Sequence, residues 1–287
     1  MRNTGDSMAS LKIEVEGASC ALWLTGTPQF STYKTGCIGD FQADNPEAGK
    51  KLIENALTLM RDNRIEYVIG PMNGDTWHSY RLVTETDNSP AYFMEPKNPD
   101  FYPAIFQQSG FDVIASYNSG RVDLSTTNSD CTNIEGINIR PFNVQAADSE
   151  LEKIYQLSLN TFAGNFLYTP IGREEFMALY TPVLPHLVPD FVLMAETDEG
   201  DLRGFLFALP DYAQGAKPGQ IIIKTYASQQ RGLGRAMVDL LHLKARQAGF
   251  HHAIHALMHE NNVSRKNSER YGGAFRKYNL YGRKLAP

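Results

Sequence analysis

Two hydrophobic periodicities alternate along the second half of the chain. Near-continuous or alternating apolar runs predict strands at INIRPFN, DFVLMAETD, LRGFLFALP, QIIIKTYA and HHAIHALMH. Apolar residues spaced three and four apart predict helices at DSELEKIYQLSLNTFAG, GREEFMALYTPVLPHL and LGRAMVDLLHLKARQAG. A further helix is expected at NNVSRKNSERYGG, and a closing pair of strands at AFRKYNLYGRKL. This order of elements indicates a mixed α/β fold.

The first half repeats the later part of this order. Strand-like runs at GCIGDFQ, EYVIGPMN and FDVIASYNSGRVDL alternate with helix-like runs at EAGKKLIENALTLMRD and DFYPAIFQQSG, and a long loop over residues 74–99 interrupts them. Between the halves, DLSTTNSDCTNIEG is polar and lacks apolar periodicity, which is typical of a linker. We therefore predict a domain at 1–125, a linker at 126–136 and a second domain at 137–287, with a weak internal duplication.

Composition narrows the classes of partner. The formal net charge is -5, without the basic excess that nucleic-acid binding requires, so we expect no nucleic-acid partner. The chain has no run of about 20 apolar residues and no apolar core of a secretory signal, so we expect a cytoplasmic protein that does not enter a membrane. Cys20, Cys37 and Cys131 are far apart, which predicts free thiols rather than disulfides or a thiolate metal site.

Gly232 and Gly234 stand one residue apart, directly between the strand-like QIIIKTYA and a helix-like run. The first turn of a helix has backbone N–H groups without partners, and the aligned peptide dipoles favour an anion there. Glycine lets an anion approach the backbone and permits angles that aim successive amides inward. The side chains of Gln229 and Arg231 can add donors. We therefore predict a diphosphate site at this junction, with a tight turn that binds no ligand as the alternative.

Three nucleotide-binding motifs compete for this stretch. The P-loop pattern fails because no Gly-Lys-Ser/Thr follows, and the dinucleotide fingerprint fails because Met237 stands where a third glycine is needed. Gln229-x-x-Gly232-x-Gly234 instead matches the Gln/Arg-x-x-Gly-x-Gly/Ala pyrophosphate loop of the GNAT superfamily of acyl-CoA-dependent N-acyltransferases. Residues 136–287 resemble that fold in element order. The whole chain is similar to bacterial proteins that have two such folds in tandem, one of them degenerate.

The resemblance implies a fold and an activity. The fold would be a central mixed sheet flanked by helices, in two tandem copies. The activity would be transfer of an acetyl or other short acyl group from acetyl-CoA, or a related thioester, to a primary amine on a small molecule or a peptide. The amine would attack directly, so no covalent acyl-enzyme is needed. A non-catalytic acyl-CoA sensor and an aminoacyl or peptide transferase that uses charged transfer RNA are the alternatives, and a homodimer is a candidate assembly.

The resemblance also implies which residues hold CoA. Main-chain groups at the end of the strand would pair with the pantetheine arm, and one of those amides would polarise the thioester carbonyl. Groups of the following loop and helix would hold the diphosphate. The implied CoA-binding residues are Tyr226, Ala227, Ser228, Gln229, Arg231, Gly232, Leu233, Gly234, Arg235, Asn261 and Asn262.

A protonated amine must lose its proton before it can attack, so a base is required. The candidate bases are Glu196 on a predicted strand and His255 or His259 on another. His251, His255 and His259 would also form a metal-binding face if they lay on a helix. Because their context predicts a strand, we expect no metal site.

The departing thiolate needs an acid or water. The resembling family commonly uses a Tyr seven residues after an Asn and four before a Gly. With Asn261 and Gly272 in those places, Ser268 stands at the Tyr position. Ser268 and the nearby Tyr271 are therefore the predicted residues at the acid position, with Glu196 as the predicted base. Tyr278 and Tyr281 are the other tyrosines that could substitute.

Two segments of the first half carry further expectations. ADNPEAGKKL is equivalent to the glycine loop, but Asp44 and Glu47 would repel phosphate, so this copy is not expected to hold CoA. GPMNGDTWHSYR is rich in recognition-type side chains and could line a substrate groove between the halves. The alternative is that Trp77 and Tyr80 pack the domain interface.

Overall fold

The structure is a computed structural model that describes residues 10–127, 133–261 and 272–286. The first half contains β1 (Ser10–Val15), β2 (Ala18–Trp23), β3 (Thr35–Ala43), α1 (Pro46–Asp62), β4 (Tyr67–Gly70), β5 (Leu82–Thr86), α2 (Tyr102–Gln108) and β6 (Asp112–Asp123). The second half contains β7 (Asn138–Pro141), α3 (Ala147–Thr161), α4 (Arg173–Tyr180), β8 (Val192–Glu196), β9 (Leu202–Pro210), β10 (Gln220–Ser228), α5 (Leu233–Gln247), β11 (His252–His259) and β12 (Ala274–Lys284). Short 3₁₀ turns lie between several of these elements.

The described strands form one sheet of twelve strands in the order β1-β2-β3-β4-β12-β6-β11-β10-β9-β8-β7, with β5 paired to β12 outside this path. Two pairs are parallel, β3 with β4 and β10 with β11, and each is joined by a helix that crosses over the sheet. The remaining pairs are antiparallel. The predicted mixed α/β fold, with a mixed sheet flanked by helices, is therefore confirmed.

The last strand of each half lies beside the parallel pair of the other half. β6, from the first half, pairs with β11 of the second half. β12, from the second half, pairs with β4 of the first half. β6 and β12 also pair with each other along most of their length. We call β6 and β12 the exchanged strands. They make the sheet continuous across the predicted linker, and the division into domains at 126–136 stays a prediction.

Helices cover the second half of the sheet on both faces. Neighbouring residues of β9 point to opposite faces, so Leu206 packs with α5 while Phe205 packs with α3 and α4. In the first half, α1 and α2 pack together in one core with Ile38 and Val68. None of the described helices is long and apolar enough to span a membrane.

The observed elements differ from the sequence predictions in three places. β1, β2 and β5 were not predicted. AFRKYNLYGRKL forms one long strand, β12, instead of a pair, because it bridges β6 on one side and both β4 and β5 on the other. The helix predicted over GREEFMALYTPVLPHL ends at Tyr180 and continues as a 3₁₀ turn that contains Pro182 and Pro185. Most of the helix predicted at NNVSRKNSERYGG lies outside the described residues.

Candidate functional site

β10 and β11 lie side by side in the second half and then separate. They pair in parallel over four residues that end at Ile223 and His255. Beyond that point β10 pairs only with β9, as far as Ser228, and β11 pairs only with β6. A bulge in β10 at Lys224 marks the point of separation. We call this divergence the splay, and it leaves a space between two strands whose facing backbone groups would otherwise pair.

The loop after β10 and the first turn of α5 present a group of backbone donors. Within the described residues, five amides donate no hydrogen bond, namely those of Gln230, Arg231, Gly232, Gly234 and Arg235. The amide of Gln229 donates to the Arg203 carbonyl at 2.8 Å, and that of Leu233 to the Gln230 carbonyl at 3.2 Å. No side chain caps α5. Free amides at a helix start form the environment that stabilises an anion.

Glycine is suited to the two positions of this junction for different structural reasons. Gly232 precedes α5 with φ of 85°, and among the described residues a Cβ there would meet only Ile134, at 3.7 Å, which leaves open space on the described side. Gly234 lies inside the helix. A Cβ at Gly234 would lie 3.2 Å from a ring carbon of Tyr226 and 3.3 Å from Ser228 Oγ. Gly232 therefore allows access from outside, whereas Gly234 allows α5 to pack closely against β10.

The residues predicted to hold CoA divide into three groups. The side chains of Gln229, Arg231 and Arg235 are exposed around the free amides, with Arg235 Nε 3.5 Å from Asp239. Tyr226, Ala227 and Ser228 form the β10 arm of the splay. Leu233, the first residue of α5, differs because its side chain is fully buried in the core and its amide donates to the Gln230 carbonyl.

The other predicted CoA contacts lie at the end of β11 and beyond. Asn261 is exposed, and its amide donates to Nδ1 of His259 at 3.1 Å. Asn262 lies outside the described residues, as do Ser268 and Tyr271 from the predicted acid position. Tyr278 and Tyr281 are fully buried. Tyr278 donates to Glu95 at 2.6 Å, and Tyr281 stacks on Phe106 in the first half.

Glu196 lies at the end of β8 in an ion-pair network. Its carboxylate oxygens are 2.7 Å from Arg140 Nε and 2.7 Å from Lys153 Nζ. Burial raises the pKa of this carboxyl, but the hydrogen bonds from Arg140 and Lys153 bring it below its usual value. A carboxylate held between two cations is a poor proton acceptor for an amine, so this geometry disfavours the predicted role of Glu196 as base.

The two candidate histidines have different environments. His255 is buried with Nε2 2.9 Å from Nε2 of His242, and burial lowers the pKa of both rings. His259 lies on the β11 arm of the splay with its ring edge-on to Tyr117. Burial lowers the pKa of His259; the Glu260 carboxylate opposes this shift and the nearby Arg81 guanidinium adds to it. His259 is thus the candidate base that lies in the splay.

The histidine metal face that a helix would have formed is absent, since β11 places residues four apart about 13 Å from each other. Another group does come together among the described residues. Ligand atoms of Asp75, His78 and Glu175 lie within 4.8 Å of one another. Asp75 Oδ1 already accepts from the amides of Trp77 and His78 and lies 2.8 Å from His78 Nδ1. We therefore interpret this group as a hydrogen-bonded ion pair.

The corresponding place in the first half is filled by its own chain. β3 and β4 pair in parallel only as far as Cys37 and Ile69, but the amide of Met72 then donates to Ile38 at 2.8 Å. The Asn73 side chain accepts from the Asp40 backbone amide and donates to the Asp40 carboxylate. The helix start is also occupied, because Asn45 accepts from the amide of Ala48 at 2.9 Å. This half therefore offers neither a splay nor a free group of amides.

The segment from Asp75 to Arg81 belongs to the first half and contacts the second half. Trp77 packs against Phe162, Tyr168 and Phe176, and its indole donates to the Thr169 carbonyl at 2.8 Å. Trp77 thus packs an interface, as one of the two interpretations from sequence proposed. Arg81 reaches β11, where Nη1 donates to the carbonyl of Leu257 at 3.3 Å.

Two cations beside the splay were missed as functional candidates from the sequence. Lys224 is the bulge residue of β10, and its ammonium donates to the Met94 carbonyl at 3.3 Å. Arg81 lies between the rings of Tyr80 and Tyr117, 3.7 and 4.0 Å from their centroids. In the sequence each is an isolated basic residue, far from the other along the chain. Only the fold places both beside the splay.

An apolar cavity of ≈ 40 Å³ lies beside Thr225, the residue that follows the bulge of β10. Its walls are Phe205 and Phe207 of β9 and apolar side chains of α3 and of the turn after α4. The cavity therefore adjoins the β10 arm of the splay, and it has room for a few carbon atoms.

Comparison with known proteins identifies solved structures that share this fold. No family model and no curated protein sequence matches the chain. A GCN5-related N-acetyltransferase from Sphaerobacter thermophilus is similar with a TM-score of 0.58 and 12% identity, over 94% of this chain and 78% of that one. A tandem GNAT protein from the clavulanic acid biosynthesis pathway has a TM-score of 0.55 and 14% identity, over 94% and 80%. The chain has a tandem GNAT fold.

A third GNAT structure agrees. It is the GCN5-related glucosamine N-acetyltransferase region of a fungal multi-domain β-N-acetylglucosaminidase, with a TM-score of 0.57 and 13% identity over 93% of this chain. This chain spans only 31% of that protein. The resemblance inferred from Gln229, Gly232 and Gly234 is confirmed at the level of the fold. Within the GNAT fold, the splay and the free amides of α5 lie in the second half.

Proposed function

We propose that the second half binds acyl-CoA and transfers a short acyl group to a primary amine. The observation that carries this proposal is the junction of β10 and α5, where five neighbouring amides have no described partner and the two central strands have separated. The first half has the same crossover, but Asn45 caps the amide of Ala48 there and the amide of Met72 occupies the strand end. The contrast supports a ligand site in one half and a structural role for the other.

The residues present fit the parts of acyl-CoA. The amides of Arg231, Gly232 and Gly234 would hold the diphosphate, with the exposed side chains of Gln229 and Arg231 as further donors. The open space beside Gly232 supports access by a large anion. Acyl-CoA supplies an activated thioester when bound, and the β10 backbone beyond Lys224 would bind the pantetheine arm and polarise the carbonyl.

The narrow end of the splay is suited to a small acyl group. The cavity of ≈ 40 Å³ beside Thr225 favours acetyl or another short chain over a fatty acyl chain. His259 on the opposite arm would accept the proton of the attacking amine at Nδ1, once the Asn261 amide that donates to this atom has moved away. Its lowered pKa leaves the ring neutral at pH 7, as a proton acceptor must be.

The test is a substitution at the diphosphate position. Gly232→Asp should raise the dissociation constant of CoA, measured by calorimetry, by about tenfold or more, because a carboxylate would replace the anion that the amides bind. Gly200→Asp is the matched control, since Gly200 has φ of 87° in the β8–β9 turn with no atom within 4 Å of a Cβ. An unchanged dissociation constant in Gly232→Asp would refute the site.

Turnover is measured separately, as thiol release from acetyl-CoA with a panel of amines. Release that depends on an amine supports the transferase. Tight CoA binding without release under any of these conditions would favour an acyl-CoA sensor.

A further inference from the structure

Arg81 and Lys224 both lie near the point where β10 and β11 separate, one from each half of the protein. Lys224 is the first residue of β10 after the last pair with β11. Leu257, whose carbonyl accepts from Arg81 Nη1, is two residues past that pair on β11. The two cations are therefore held on opposite arms, within a residue or two of the point where the arms separate.

Arg81 has donors without acceptors. The residue is only 8% exposed, and its Nε is buried without a hydrogen-bond partner. Among the described residues, Nη1 makes the one hydrogen bond of the guanidinium, and no carboxylate lies within salt-bridge distance. Its flat faces are occupied by the rings of Tyr80 and Tyr117. The two rings thus fix the orientation of the guanidinium, and its Nε–H donor has no acceptor among the described residues.

The charge of Lys224 likewise has no paired carboxylate among the described residues. Its ammonium donates to a neutral carbonyl, that of Met94. Burial lowers its pKa to about 8, and Arg81 contributes to the lowering, so the ammonium is still mostly protonated at pH 7. Glu95 is the nearby carboxylate, but it already accepts from Arg276 Nε at 2.9 Å and from the Tyr278 hydroxyl at 2.6 Å. The local charge is therefore positive, and Glu95 does not neutralise it.

A buried guanidinium beside a partly buried ammonium, neither with a counter-ion, destabilises a fold unless something pairs with them. The proposed acyl site lies beside them. An acceptor whose amine attacks the thioester would therefore also contact these two cations. We propose that Arg81 and Lys224 form a carboxylate subsite, so that the amine acceptor is an amino acid or a similar amine that carries a carboxylate close to its amino group. This inference rests on the proposed acyl transfer.

The experiment compares amines in matched pairs. Each standard amino acid and its carboxamide are supplied with acetyl-CoA, and thiol release gives kcat/KM for both members of the pair. The wild-type protein should prefer the carboxylate member of at least one pair by about tenfold to a hundredfold, the effect of a hydrogen bond to a charged group. Lys224→Gln should reduce that preference at least tenfold, and Arg81→Gln should reduce it further.

Controls separate this inference from the proposed function. Lys12→Gln removes an exposed lysine on β1, at the far edge of the sheet, and should keep the preference of the wild type. Lys224→Gln and Arg81→Gln should bind CoA with the wild-type dissociation constant. If Arg81→Gln fails to fold, Lys224→Gln alone decides.

Three results would overturn the subsite. Equal or better turnover of the carboxamides would overturn it while leaving acyl transfer intact. Preference for an aminoalkyl phosphate over every amino acid would show a different anion class. Absence of turnover with every pair, while CoA still binds, would overturn both the subsite and the transferase but not the CoA site.

Discussion

Gly232 and Gly234 illustrate how one residue type serves two purposes at the residue scale. The motif spacing predicted that both would clear space for a diphosphate. Of the two, only Gly232 faces space that no described residue fills, while Gly234 makes room for the ring of Tyr226. Both requirements produce glycine, so the sequence alone could identify the positions but could not separate the reasons.

The buried histidine pair determines a pH dependence of stability. His242 and His255 are neutral in the folded protein because burial lowers their pKa below the usual value of about 6.5. The unfolded chain gains protons on both rings below that pH, whereas the folded protein does not. Their contribution to stability is therefore complete above about pH 6.5 and is lost as the pH falls toward the lowered values.

We expect the free energy of unfolding to fall by about 2 to 4 kcal/mol between pH 7 and pH 5, measured by urea denaturation. The double variant His242→Gln with His255→Gln should lose most of this pH dependence. His251→Gln, which removes an exposed ring, is the control and should retain it. A double variant as sensitive to acid as the wild type would contradict the assignment.

At the scale of elements, two helices that cross over the sheet begin in opposite ways. α1 begins at Pro46 after the capping side chain of Asn45 and has Glu47 in its first turn. α5 begins after Gly232, without a side-chain cap or an acidic residue in its first turn. A side chain of the protein caps the first helix start, whereas no side chain caps the second, which is why we propose that a ligand binds there.

Asn45→Ala should lower the free energy of unfolding by about 1 kcal/mol, because it removes the cap of α1. Urea denaturation measures this loss, and calorimetry should show an unchanged affinity for CoA. Asn138→Ala, at an exposed position on edge strand β7, is the control and should cost less. A change in CoA affinity for Asn45→Ala would contradict the separation of roles between the two helices.

The long periodic elements of the second half were predictable because each has a run of matching apolar positions. β10 and α5 were predicted within a few residues of their observed bounds. β5 was missed because LVTET is short and only partly buried. Lys224 was missed because a bulge cannot be recognised from apolar spacing, and Arg81 because its partners lie far along the chain. Features that depend on how distant strands pair, such as this bulge and these contacts, cannot be predicted from the apolar pattern of the sequence.

At the scale of the whole molecule, the exchanged strands join the two halves into one unit. β6 borders β11, and β12 fills the gap between β4 and β6. Each half on its own would lack a strand at the centre of its sheet, leaving a row of unpaired backbone groups. The halves therefore depend on each other for stability, whichever of them holds the ligand.

Splitting the chain at residue 130 tests this dependence. Each fragment expressed alone should lack a cooperative unfolding transition by circular dichroism, because its sheet is incomplete. The two fragments expressed together should form a one-to-one complex that binds CoA. Either fragment folding alone as a stable monomer would contradict the mutual dependence.

The exchange also sets an order for biosynthesis. A ribosome releases β4 and β6 long before it releases β12, which must lie between them. The first half can therefore hold only part of its final pairing while the rest of the chain is being translated. Its completion waits for the strand made last among those described, so the half in which we propose no ligand site is also the half that completes its sheet late.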